Sequence, residues 1–174
     1  MWGGFPKVIK EVFPNALIVI DRFHVMKLVN KALNKIRLLL DLKGLKNRCL
    51  LLKNGKDLTQ EEQQGLSTLL SNSAILSIAY ELKEELRDIY QTTTTVKLGL
   101  TRLKKWLTIA RLIFGKTAKT LEKYLQEICH YFINHTTSGV TEGLNNKIKL
   151  ILRQSYGFKN FALMKEKLLA CLFK

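Results

Sequence analysis

Apolar positions recur along this chain at two different spacings, and the change from one to the other marks out its elements. Between residues 5 and 13, Val8, Ile9, Val12 and Phe13 recur three and four apart with charged residues between them. That is the spacing of a short amphipathic helix, and Pro14 must stop it. Ala16-Leu17-Ile18-Val19-Ile20 is instead an unbroken apolar run, rich in β-branched residues and bounded by Pro14-Asn15 and Asp21. It predicts a strand near 16–21, buried on both faces. Helical spacing returns over 24–53, where Val25, Leu28, Val29, Ala32, Leu33, Ile36, Leu39 and Leu40 share one side and lysines and asparagines the other, with Gly44 as a weak point. A loop at 54–58 precedes helices expected at 59–70, 73–91, 96–114 and 117–134. After a turn at 135–139, two more are expected at 141–154 and 161–173, separated by Tyr156-Gly157.

The expected fold is therefore mainly α with one strand. A strand buried on both faces needs neighbours to pair its backbone N–H and C=O groups, and the rest of the sequence supplies none. On this pattern the chain reads as truncated at its N-terminus, or else the isolated run is absorbed into a helix or loop. Its 174 residues suit a single structural unit, or one domain with an appendage.

Charge narrows the partner. With 29 Lys and Arg against 14 Asp and Glu, the net charge is +15, and a polyanion such as DNA is the natural match. The competing explanation is that the excess serves solubility alone. Cys49, Cys129 and Cys171 stand apart, without zinc-type spacing and in odd number, which fits a reducing cytoplasm better than a disulfide framework. The opening MWGGFPKVIKEVFP carries charges where a signal peptide would have its apolar region, and no apolar run is long enough to span a bilayer, so no membrane is expected.

Three constellations could carry chemistry. In Ile20-Asp21-Arg22-Phe23-His24, a carboxylate and an imidazole three residues apart at a strand end could meet or order a metal, or Asp21 could simply cap the next helix. Over 138–149, helical geometry of about 100° per residue puts Glu142, Asn145, Asn146, Lys149 and Arg153 on one face and Leu144, Ile148 and Ile151 on the other. Such a stripe suits a divalent metal at Glu142 with a DNA phosphate along Lys149 and Arg153. An ordinary solvated face with a dipole-complementing glutamate would look the same. Around Gly157, Tyr156, Phe158 and Phe161 interleave with Arg153 and Lys159, either to grip nucleic acid or, as the plainer account has it, to plug a helix-to-helix corner.

In this order, FPNALIVIDRFHVMKLVNKAL at 13–33 and SGVTEGLNNKIKLILRQSYGFKNF at 138–161, about a hundred helical residues apart, resemble the C-terminal half of insertion-sequence DDE transposases. The resemblance covers essentially the whole chain, strongly at both ends and loosely between. It implies a ribonuclease-H-like catalytic core interrupted by an all-helical insertion. Residues 1–33 would be a remnant of that core, 34–134 the insertion, and 135–174 the returning catalytic helices. Asp21 and His24 would match the family's D-x-x-H motif. Glu142 would be the catalytic glutamate and a ligand for Mg²⁺, and Lys147, Lys149, Arg153 and Lys159 the candidate DNA contacts. DNA is the implied substrate, with a full-length transposase or an upstream fragment as a further partner.

The resemblance also implies a deficit. The family's first catalytic aspartate lies on an early strand and its second just before a Trp-containing segment like Met1-Trp2-Gly3-Gly4, so both would fall upstream of Met1. Another alignment makes Asp21 the second acid and still lacks one. Two-metal phosphodiester chemistry needs several carboxylates converging on paired ions, so the expectation is a chain inactive by itself.

Overall fold

A computed structural model describes residues 5–135, 137, 139–157 and 160–172. The described residues form helices and connections. The first six helices are α1 (Phe5–Val12), α2 (Arg22–Leu39), α3 (Leu45–Leu52), α4 (Gln60–Ser71), α5 (Ala74–Thr92) and α6 (Val96–Phe114). They are followed by α7 (Lys116–Lys123), α8 (Leu125–Cys129), α9 (Tyr131–Asn134), α10 (Gly139–Gln154) and α11 (Phe161–Leu172). A 3-10 turn, Gly55–Asp57, sits in the expected loop. The chain divides into two compact units, Met1–Thr136 and Thr137–Lys174, where the sequence suggested a single one.

Polar residues cap the starts of several of these helices. Thr59 and Glu62 form a reciprocal capping box on α4. Ser73 accepts from the Leu76 N–H, and Thr95 from the Leu98 N–H. The threonine run is thus structural: Thr93 is buried, and Arg102 binds Thr92, Thr93 and Asp88 to tie the α5–α6 corner together.

In the first unit α5 packs between α2 and α6, α3 and α4 close one side, and α7 to α9 lie along α6. Val29, Leu33, Leu76 and Leu86 are fully buried in this core. Trp106 is buried too, its indole N–H donating to the Leu82 carbonyl at 2.8 Å. Two expected helices are broken. The 24–53 helix ends at Leu39, and the chain turns through Asp41 (φ 56°) and Gly44 (φ 101°) before α3. The buried Arg37 guanidinium stabilises this turn by donating to the Leu42 and Gly44 carbonyls and to Asn34 Oδ1. The 117–134 helix is cut at Tyr124 and His130 into α7, α8 and α9.

The strand expected at 16–21 does not form, and no strand occurs among the described residues. Without a neighbour to pair with, the segment forms no regular element and is pinned to helices instead. The Ile20 N–H donates to the Glu127 carbonyl at 2.9 Å, and His130 Nδ1 lies 2.8 Å from the Ile18 carbonyl. The run is not buried on both faces either: Ile18, Val19 and Ile20 are half-buried, while Leu17 is exposed.

Burial also fixes how the first unit responds to alkali. It pushes the Cys129 thiol from 9.0 to about 11. The Tyr80 phenol rises from 10.0 to about 12 through burial and then the neighbouring Glu84 carboxylate, and Tyr90 shifts further the same way, chiefly by burial. These groups keep their protons in the folded state to higher pH than in the unfolded chain. Stability that is complete below pH 9 is therefore lost as pH rises through the 9–12 window. Lys83, lowered from 10.5 mainly by burial, acts in the opposite sense but is one group against three. Urea midpoints are expected to fall between pH 8 and pH 10. Cys129→Ala should remove about 1 kcal/mol of that fall, the part of the linkage of its shift from 9.0 to about 11 that is lost between these two pH values. Equal pH dependence in the two proteins would contradict this.

Candidate functional site

Asp21 stands where the 16–20 run meets α2, and it is 8% exposed. Its carboxylate accepts from the Phe23 N–H at 2.8 Å, and its carbonyl from the His24 N–H at 3.0 Å. The capping alternative is thus realised: an acid at a helix N-terminus satisfies an otherwise orphaned donor and complements the dipole. His24 lies in the first turn, half-buried, its ring edge-on to exposed Phe23 with centroids 5.8 Å apart. Asp21 and His24 therefore share one short stretch, held in place by the bonds from Ile18 and Ile20 to α8 and His130.

Glu142 lies in the first turn of α10, exposed, and Asn145, Asn146, Lys149 and Arg153 are exposed on the same face. Lys147 is exposed as well. On the opposite face Ile151 is buried and Ile148 half-buried, whereas Leu144 is 42% exposed. Helical periodicity alone accounts for this sidedness. Lys159 and Phe158 fall outside the described residues, as do Met1 to Gly4. At the corner after α10, Tyr156 (φ 51°) and Gly157 (φ 95°) turn the chain. Two of the rings do not plug a core: Tyr156 is fully exposed and Phe161 is 73% exposed. The second unit is built from α10 and α11, and two helices share a single seam, which is too little surface to enclose rings at the corner.

Asp21 and His24 belong to the first unit and Glu142 to the second. Among the described residues no three His, Cys, Asp or Glu side chains cluster as a metal site would require. The resident groups thus do not by themselves fit the divalent ion that such chemistry uses, and no catalytic step is assigned to them. No described helix is long and apolar enough to cross a membrane.

Sequence reasoning passed over two features. His130 anchors the 16–20 run across 112 positions, and nothing local marks it. The outer face of α2, where Phe23, Lys27, Asn30, Lys31 and Asn34 line a groove with Arg48, was visible only as a row of lysines and asparagines opposite the apolar stripe.

Known proteins resemble this chain over most of its length. The profile of the ISL3 group of DDE transposases, described as "Transposase", matches residues 1–168. The chain is 30% identical over 115 residues to the transposase for insertion sequence element IS1557 of Mycobacterium tuberculosis, a match covering 65% of this chain and 26% of that protein. It is 27% identical over 161 residues to the transposase for insertion sequence element IS1001 of Bordetella parapertussis, covering 84% of this chain and 40% of that protein. The matched stretches are thus less than half the length of these relatives. No solved structure matches. With the family profile running from its first residue through most of α11, the chain belongs to the ISL3 group of insertion-sequence DDE transposases.

Proposed function

We propose that this chain supplies the C-terminal catalytic helix of a metal-dependent DNA transposase, with Glu142 as the last of its three acidic ligands. On this reading 1–33 is a piece of a ribonuclease-H-like core, 34–134 the helical insertion, and 135–174 the return to the core. Asp21 and His24 are its D-x-x-H motif, and Lys147, Lys149, Arg153 and Lys159 contact the DNA backbone. The observation that carries it is the exposed stripe on α10, where Glu142 is followed by two amides and two cations on one face, in a chain of this family. When bound, Mg²⁺ would supply activation of the attacking hydroxyl and stabilisation of the leaving oxygen, which takes several carboxylates.

One glutamate does not meet that requirement, so the purified chain is expected to show negligible DNA nicking or joining on transposon-end DNA with Mg²⁺. Turnover that is abolished by Glu142→Gln would overturn this, because it would mean that the remaining ligands are present. Restored turnover on adding an upstream fragment or a full-length relative would support Glu142 acting in trans.

A second reading is a basic helical module that binds DNA or a transposase without catalysis. The closed helical core of the first unit and the net charge of +15 favour it. It predicts cooperative unfolding and tight, salt-dependent DNA binding that are indifferent to Glu142→Gln.

A further inference from the structure

The positive charge of this chain is concentrated. Residues 22–53 hold nine Lys and Arg against one acid, Asp41, whereas 54–92 hold three against seven. Asp41 is paired with Lys43 at 2.6 Å, and both are exposed. Of the nine cations, Arg37 is buried on carbonyls and Lys53 pairs with Glu62, so the excess faces outward from α2 and α3.

On that side lies a groove of about 400 Å³, with Met26 and Leu52 as its apolar lining and Phe23, Lys27, Asn30, Lys31 and Asn34 of α2 and Arg48 of α3 around them. Among its lining residues are three cations and no carboxylate. Phe23 and the polar α2 residues fall at i, i+4, i+7, i+8 and i+11, one face of a helix. Lys27 and Lys31 are thus one turn apart, about 6 Å along the axis, a spacing that lets them meet successive phosphates of one strand.

A face that only kept the protein dissolved would have no use for an aromatic ring. Yet Phe23 is 57% exposed at the end of the row, with the Lys27 ammonium 6.0 Å from its centroid. Cations in file and an open ring are what a nucleic-acid strand requires: charge for phosphate and a flat apolar surface for an unstacked base.

We infer that the α2–α3 groove is a DNA-binding site, in which the sugar-phosphate backbone lies along Lys27, Lys31 and Arg48 and an unstacked base packs on Phe23. This inference uses no residue of the α10 stripe and owes nothing to the catalytic reading of Glu142. It engages single strands or opened duplex more fully than intact duplex, because only an unstacked base exposes its face to the ring.

Fluorescence anisotropy with the full chain and labelled oligonucleotides over a salt series tests it. Exchanging Lys27, Lys31 and Arg48 together for glutamine should weaken binding at least tenfold and reduce the log–log salt slope by about 2, roughly 0.7 per single-strand phosphate. Equal neutralisation on α7, with Lys116, Lys119 and Lys123 exchanged for glutamine, should cost much less. Phe23→Ala should weaken single-strand binding about tenfold with an unchanged salt slope, and Phe23→Tyr should retain it. These side chains are exposed, so thermal melts by circular dichroism should match the parent. Should the triple variant fail to fold, Phe23→Ala and Arg48→Gln alone decide the matter. Equal losses in the groove and α7 variants, or an unaltered slope in the groove variant, would overturn the site, as would tighter binding of the matching RNA strand. Lys149→Gln with Arg153→Gln reports on α10 separately. A loss there with the groove variants intact sinks this inference alone, and the reverse pattern sinks only the assignment of DNA contacts to α10.

Discussion

Replacing Lys83 with methionine will cost the fold about 3 kcal/mol, close to the value of two hydrogen bonds to a charged donor lost from a buried position. Lys83 is 0% exposed. Its ammonium donates to the Leu51 carbonyl at 2.8 Å and the Lys53 carbonyl at 2.9 Å, so it closes the C-terminal end of α3 from α5. The negative end of a helix dipole favours a cation there. The ammonium also meets Glu84 Oε1 at 2.5 Å and lies 4.2 Å from the centre of the Tyr80 ring. Methionine keeps much of the stem volume and removes only the charged head. The carbonyls then lose their donor, and the buried Glu84 Oε1 loses its cation, since Arg87 lies against Oε2 instead, at 3.6 Å. A urea midpoint within error of the parent would show that water replaces the ammonium at no cost and would refute the claim. Lys83→Arg is a further check. The guanidinium is too large for the enclosed site, so it should not restore stability.

Alanine at position 99 will destabilise the protein by about 2 kcal/mol, although it is the better helix former by about 1 kcal/mol. Gly99 lies in α6, and a Cβ built there would come within 2.4 Å of both Cδ2 and Cε2 of Phe132. That ring has little room to retreat. It is 1% exposed and packed against Tyr90, Tyr131 and His135, with centroids 5.7, 5.6 and 6.4 Å away. Overpacking therefore outweighs propensity. A double-mutant cycle with Phe132→Leu should show a coupling of more than about 1 kcal/mol, since the smaller side chain relieves the clash. Additive effects, or a raised midpoint for Gly99→Ala alone, would mean that α6 and α9 separate easily.

Much of the candidate site was visible in the sequence because its logic is local. Asp21 before an amphipathic run is a cap that sequence alone suggests, and the structure places its carboxylate on the Phe23 N–H. The stripe from Glu142 to Arg153 follows from helical period, and its five residues are exposed together. The bonds that hold the Asp21 segment were not visible. They come from Glu127 and His130, more than a hundred positions away, and no short-range pattern encodes them. The corner rings show the same limit: Tyr156 and Phe161 are apolar enough for a core, but a two-helix unit does not enclose them.

By itself, the sequence determined the helices, their caps, the mainly α class and the concentration of positive charge, since each depends on residues within a few turns of one another. Only the tertiary structure decided the rest. The run at 16–20 formed no strand and bonded to helices instead, because a strand is completed by partner strands and not by its own residues. The 117–134 helix bent twice on its way along α6, and a lysine in the middle of α5 went inside because two carbonyls of another helix lay within its reach. Local preference selects how a segment is built. Where its polar groups find partners depends on which distant segments pack beside it.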